Sequence, residues 1–99
     1  MSHRGSLLCV PSGIWASSVA TAAAIDEAAL AIVLEEEPPV ELCLIGTGSD
    51  PWVMPGALRD RLRERMIVVE SMTTGAAVRT YNILLGESRR VAALLIALP

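Results

Sequence analysis

The chain contains no phenylalanine and no lysine, a single histidine and only two cysteines. Each scarcity removes a class of function. The aromatic residues are Trp15, Trp52 and Tyr81 alone, so the 53% of hydrophobic residues are almost all Ala, Val, Leu and Ile. A small aliphatic core supplies modest stability, and self-association would bury the apolar surface left over, which makes a homo-oligomer one expected state. The one histidine, His3, lies near the N-terminus, where chains are usually loosely held, so a Ser-His-Asp or Cys-His mechanism lacks a central base. No group of His, Cys and carboxylates has metal-ligand spacing, and neither a metal nor a cofactor is expected. Cys9 and Cys43 each sit inside an apolar run without a CxxC pattern. They read as two reduced, buried thiols.

Excess positive charge is also missing. All eight basic residues are arginine, and the formal net charge is −3, which argues against general nucleic-acid binding. No apolar run approaches the roughly 20 residues of a membrane-spanning helix. The longest is Val91 to Leu98, and the four apolar residues before Pro11 are too few for a signal peptide. A soluble, cytoplasmic chain of one domain over residues 1–99 is the expectation.

What is present is an alternation of short elements. Leu7–Val10 reads as a strand, Pro11-Ser12-Gly13 as a turn, and Ile14–Val19 as the second arm of a hairpin. The spacing of Ile25, Ala29, Ile32 and Val33 predicts a helix over Asp26–Glu36, ended by Pro38-Pro39. Val40–Ile45 follows as a strand, apolar enough to be covered on both faces. A helix runs from Pro55 to near Arg65, then come a strand over Ile67–Glu70, a helix over Gly75–Glu87 and a strand over Val91–Leu98. This order predicts an α/β fold, whose connections favour parallel neighbours and right-handed crossovers.

The segment Met72–Leu85, MTTGAAVRTYNILL, carries more than a helix needs. Thr73 or Thr74 can cap the helix, and Gly75 lets the chain enter it tightly. Ala77, Tyr81, Leu84 and Leu85 form an apolar stripe, while Arg79 and Asn82 share another face. The free N–H groups at such a helix start suit an anion. Gly46-Thr47-Gly48 ends a strand, where α/β crevices form, but it lacks the third glycine and the prompt helix of a dinucleotide fingerprint. Arg59, Arg61, Arg63 and Arg65 punctuate the second helix with Asp60 and Glu64 between them. The pairs Arg61–Glu64 and Asp60–Arg63 describe a solvated, ion-paired face, and the alternative is a docking patch for an acidic partner.

The strings RGSLLCVPSGI, ELCLIGTG and ESMTTGAAVRTYNILLGESRRVAALLI resemble the adipogenesis-associated Mth-domain family, a domain of unknown function. The resemblance covers nearly the whole chain from His3 and is most specific at TGAA followed by RTYN. It implies a three-layer α/β fold, a mixed central sheet flanked by helices, with a small extra N-terminal sheet or hairpin. Family members usually carry one further N-terminal strand, so the resemblance also implies that Met1 is an internal methionine of a longer reading frame. One eukaryotic branch of the family is an assembly factor for mitochondrial NADH dehydrogenase.

Two functions follow as expectations. The first is a non-enzymatic binding module with a protein partner, serving assembly of a respiratory or other membrane-protein complex. Its crevice would be built from Gly46, Thr47, Gly48, Thr74, Gly75, Arg79 and Asn82, with backbone donors from Thr74 and Gly75 and a charged fork from Arg79. The second is a small-molecule or anion-binding enzyme using the same crevice, with Glu70 or Tyr81 as proton carrier. No activated nucleophile accompanies it.

Overall fold

The computed structural model describes residues 6–49 and 52–97, so His3 and the residues around it lie outside the description. Strands β1 (Ser6–Val10) and β2 (Gly13–Ser17) form the hairpin that the Pro11-Ser12 turn predicts, with Val10 opposite Gly13. The chain then passes a 3₁₀ turn at Ala22–Ala24 and a short helix α1 (Ala31–Glu35) into β3 (Leu42–Gly46). Helix α2 (Gly56–Arg63), strand β4 (Val68–Met72), helix α3 (Thr74–Gly86) and strand β5 (Val91–Leu95) complete it.

The strands make one five-stranded sheet in the order β2-β1-β5-β3-β4. β3 runs parallel to β4 and β5, whereas β1 runs antiparallel to β5 and β2, so the sheet is mixed. The N-terminal hairpin extends this sheet through β1–β5 pairing instead of standing as a sheet of its own.

Period-two alternation sorts the strand residues into two cores. Leu8, Val10, Cys43, Ile45, Val69, Ala92 and Leu94 meet Leu30, Val33, Leu34, Leu58 and Leu62 of the α1–α2 layer. Cys9, Leu44, Val91 and Ala93 face the other way, with Tyr81 and Leu84 of α3 packed against them. A helical layer therefore lies on each side of the sheet, the three-layer α/β arrangement.

Two sequence expectations need correction. The helix expected over Asp26–Glu36 is reduced to Ala31–Glu35. Asp26 Oδ1 accepts from the Ala29 N–H at 2.9 Å, and the Leu30 and Ala31 amides bond three residues back, so the segment coils as tight turns before one helical turn forms. Three glutamates at its C-terminal end oppose the helix dipole and give no reason to lengthen it. Its buried contacts come from Ile25, Leu30, Val33 and Leu34, with Ala29 and Ile32 only partly buried. On α3, Ala77 is buried and Tyr81 and Leu84 are half-buried, but Leu85 is 45% exposed. Leu85 follows Leu84 by about 100° around the helix, which carries it off the sheet-facing line.

The second helix matches its expected electrostatics. Arg61 pairs with Glu64 at 3.4 Å and Arg63 with Asp60 at 3.9 Å. Arg61 also reaches Glu27 at 3.1 Å and Arg65 reaches Glu37 at 3.0 Å, tying α2 to the segment around α1. Exposed pairs of this kind contribute about 0–1 kcal/mol each.

Both cysteines are free thiols and buried, on opposite faces of the sheet. Burial pushes the Cys43 thiol up to about 12 from 9.0. The native value lies above the unfolded one, so the neutral thiol's contribution is complete below pH 9 and is lost as pH climbs towards 12. Stability should therefore fall through this alkaline window by up to about 1.4 kcal/mol per pH unit. Urea unfolding of the protein and of Cys43→Ala at increasing pH checks this. The variant should show the flatter slope, and identical slopes would assign the alkaline loss to other groups.

Candidate functional site

The parallel strands set the position of the candidate residues. β3 sits between β4 and β5, and the helices that follow β3 and β4 lie on opposite faces of the sheet. In open α/β sheets, the carboxyl ends of two such strands part to form a crevice. Here the gap is bridged by hydrogen bonds. Thr47 N–H donates to the Met72 carbonyl at 2.9 Å, and the Thr47 hydroxyl donates to the same oxygen at 3.2 Å. Thr74 N–H donates to the Gly48 carbonyl at 3.0 Å, and Gly48 N–H returns a bond to Thr74 Oγ1 at 2.8 Å. That hydroxyl donates in turn to the Ile96 carbonyl at 2.7 Å. Thr74 thus fastens the turn after β3, the start of α3 and the end of β5 to one another.

The two glycines of the turn act differently. Gly48 adopts φ +79°, the left-handed region where a side chain is costly. Gly46 is needed for space, because a Cβ there would lie 2.9 Å from Thr74 Cα and 3.2 Å from Ala77 Cβ. Thr73 caps the helix, its side chain accepting from the Ala76 N–H at 3.4 Å. The helix start is thereby held directly over the strand end.

The other candidates lie elsewhere on α3. Gly75, Arg79 and Asn82 recur at helical spacing on the face opposite the sheet, and all three are exposed. The Arg79 side chain leans back along the helix, and a guanidinium nitrogen comes within 3.7 Å of where a Gly75 Cβ would stand. Arg79 makes no ion pair among the described residues. The structure therefore gathers Gly46, Thr47, Gly48 and Thr74 into one hydrogen-bonded clasp and sets Gly75, Arg79 and Asn82 together on the outer surface.

A cleft of about 350 Å³ opens beside the clasp, lined by Thr47, Gly48, Ser49, Trp52, Ile96 and the Ala20–Ala23 segment. The sequence reading missed Trp52 and Ile96 as its walls; the Trp52 carbonyl accepts from the Ser71 hydroxyl at 3.1 Å, a long-range bond that no local pattern announces. Among the described residues, the cleft lining carries no ionisable side chain. Glu70 is exposed on β4, in register with Leu44 and so on the α3 face of the sheet. Tyr81 hydrogen-bonds to the Cys9 thiol, and burial, with Cys9 beside it, raises the phenol above its ordinary range. Burial raises the Cys9 thiol too, and the Tyr81 bond offsets part of that rise. No three His, Cys, Asp or Glu side chains among the described residues are placed to share a metal ion. No helix in the description is long and apolar enough to cross a membrane.

Comparison with known proteins gives this architecture a context. A crystal structure from Bartonella henselae, described as an outer membrane protein, is 46% identical over the whole of this chain and 83% of its own, with a TM-score of 0.90. The solution structure of a Bordetella pertussis protein, described as an Mth938-like domain, is 29% identical over 93% of this chain and 73% of its own, with a TM-score of 0.76. The Danio rerio NADH dehydrogenase [ubiquinone] 1 alpha subcomplex assembly factor 3 is 30% identical over 96% of this chain, which spans 55% of that protein. The model of a family described as a protein of unknown function, DUF498/DUF598, matches residues 1–96. This chain, with its threonine clasp and its TGAA–RTYN helix, belongs to that family, the one that includes Mth938-like domains.

Proposed function

We propose that the protein is a non-enzymatic binding module that recognises a protein partner through the outer face of α3 and serves assembly of a respiratory or other membrane-protein complex. One observation carries this reading: Arg79 and Asn82 are exposed side by side on that face, and Arg79 makes no ion pair among the described residues. A guanidinium offers a bidentate fork to a carboxylate, and the neighbouring amide adds both a donor and an acceptor. A convex helix face suits a macromolecular surface, since metabolite sites are concave. Thr74, Gly46, Thr47 and Gly48 act in this reading by fixing the helix start, and Gly75 leaves room for the Arg79 side chain.

The assembly role is an analogy with the Danio rerio protein, whose name describes such a factor. A cytoplasmic site of action, with no nucleic acid and no cofactor, belongs to the same proposal. The enzymatic alternative draws less support, because Glu70, Tyr81 and Arg79 do not converge on the cleft beside the clasp. Affinity capture from the native cells tests the reading. Arg79→Ala should lose the partner that the unmodified chain retains, while its melting temperature stays unchanged. Undiminished capture by the variant would refute the assignment of this face.

A further inference from the structure

Strand β4 ends the sheet, and among the described residues no strand pairs with its outer edge. Val68 N–H donates to the Glu41 carbonyl at 3.1 Å, and the Met72 carbonyl accepts from Thr47 N–H at 2.9 Å. In a parallel ladder this alternation turns the N–H and C=O groups of Val69 and Ser71 outwards. Natural proteins usually blunt such an edge with charge, proline or a bulge. This edge carries one exposed charge, Glu70, and otherwise displays Val68, 60% exposed, and Met66 just before it, 85% exposed.

Met66 adds a second observation. It adopts φ 59°, a left-handed conformation at the end of α2 where glycine or asparagine is the ordinary choice. The chain thus accepts a conformational cost and holds a large apolar side chain in solvent, with no burial in the monomer to offset it. Beside it runs a groove of about 410 Å³ lined by Arg59, Arg63, Met66, Ile67, Val68 and Val69. Arg59 makes no ion pair among the described residues, and Arg63 reaches only Asp60, at 3.9 Å, with both side chains more than 70% exposed. The groove has an apolar floor and a cationic wall, in a chain whose net charge is −3.

From these features we infer that the β4 edge binds an extended segment of a partner protein in which apolar and acidic residues alternate. The segment adds a strand to the sheet, the recognition mode in which main-chain bonds give affinity and side-chain pockets give specificity. Its backbone pairs with Val69 and Ser71, its apolar side chains cover Met66 and Val68, and its carboxylates, on the opposite face of the added strand, meet Arg59 and Arg63. A second copy of this chain is a poorer occupant. Antiparallel self-pairing centred on Val69 brings two arginine walls together, and centring on Glu70 sets like charges directly opposite. The inference rests on the binding-module reading but uses a surface separate from Arg79.

The test is fluorescence anisotropy of the full chain with short labelled peptides that alternate Glu with Val, Ile, Leu or Phe. At least one should bind saturably, whereas Lys in place of Glu, or a central proline, should abolish binding. Arg59→Ala combined with Arg63→Ala should weaken binding by about tenfold or more. Met66→Gly, which relieves the backbone strain and so keeps the fold, should weaken it as well. Three results would overturn the inference: no peptide binds, the lysine peptides bind equally, or these variants bind unchanged. A dimer in sedimentation that Val68→Lys turns into a monomer would also overturn it, by naming a second copy as the occupant. Arg79→Ala should leave peptide binding intact. Peptide failure with Arg79-dependent capture preserved therefore removes the edge alone, and the opposite pattern removes the α3 face alone.

Discussion

Gly46→Ala should destabilise the domain by about 1–3 kcal/mol, and Gly46→Val by more. The added Cβ would stand 2.9 Å from the Thr74 Cα, a backbone atom with no rotamer to change, and 3.2 Å from both the Thr74 Oγ1 and the Ala77 Cβ. Relief requires the first turn of α3 to lift from β3. That movement stretches the bonds from Thr74 to Gly48 and to Ile96, so the steric cost and the lost hydrogen bonds fall together. For a domain of this size each kcal/mol moves the melting temperature by roughly 4–8 °C. Thermal unfolding followed by far-ultraviolet circular dichroism measures it. A Gly46→Ala variant that melts with the parent protein would show that the helix start is loosely seated.

Thr74→Val carries the second large effect. It keeps the shape of the side chain and removes the oxygen that accepts from the Gly48 N–H and donates to the Ile96 carbonyl. Both main-chain groups lose their partner in a partly buried place, a loss of about 1–3 kcal/mol. Thr74→Ser retains the oxygen and should recover most of the stability. If serine destabilises as much as valine, the threonine methyl and not the hydroxyl holds the clasp. Combining Gly46→Ala with Thr74→Val should cost less than the sum of the two, since each disturbs the same contact.

These two residues also mark what the sequence could and could not reveal. Local signals were readable: the Pro11-Ser12-Gly13 turn made the hairpin, Thr73 caps α3, and strand–helix alternation produced the parallel neighbours of β3. The separation of Arg79 and Asn82 from the Ala77–Tyr81–Leu84 stripe is helical arithmetic and needs no tertiary knowledge. The Thr74 clasp joins residues 26 and 22 positions apart in the chain, and no local pattern announces it. Gly46 looked like part of a turn, while its actual role is to admit the start of the helix that follows β4. The expected helix at Asp26 failed for the opposite reason. Its apolar spacing was sufficient, but the Asp26 side chain satisfied a local amide and the chain took tighter turns. Met66 gave no signal at all, because a left-handed methionine is visible only in the backbone angles.

Side chains that recognise a protein surface need not line a pocket. In this chain the MTTGAAVRTYN segment divides along the helix, with Thr74 turned to the strand ends and its arginine and asparagine to solvent. The measurement that tests this division most directly compares Thr74→Val and Arg79→Ala on the same material, reading melting temperature and partner capture together. Thr74→Val should lower the melting temperature and still hold the partner at temperatures where it is folded. Arg79→Ala should melt with the parent protein and release the partner. An Arg79→Ala variant that keeps its partner, or that loses as much stability as Thr74→Val, would contradict the account.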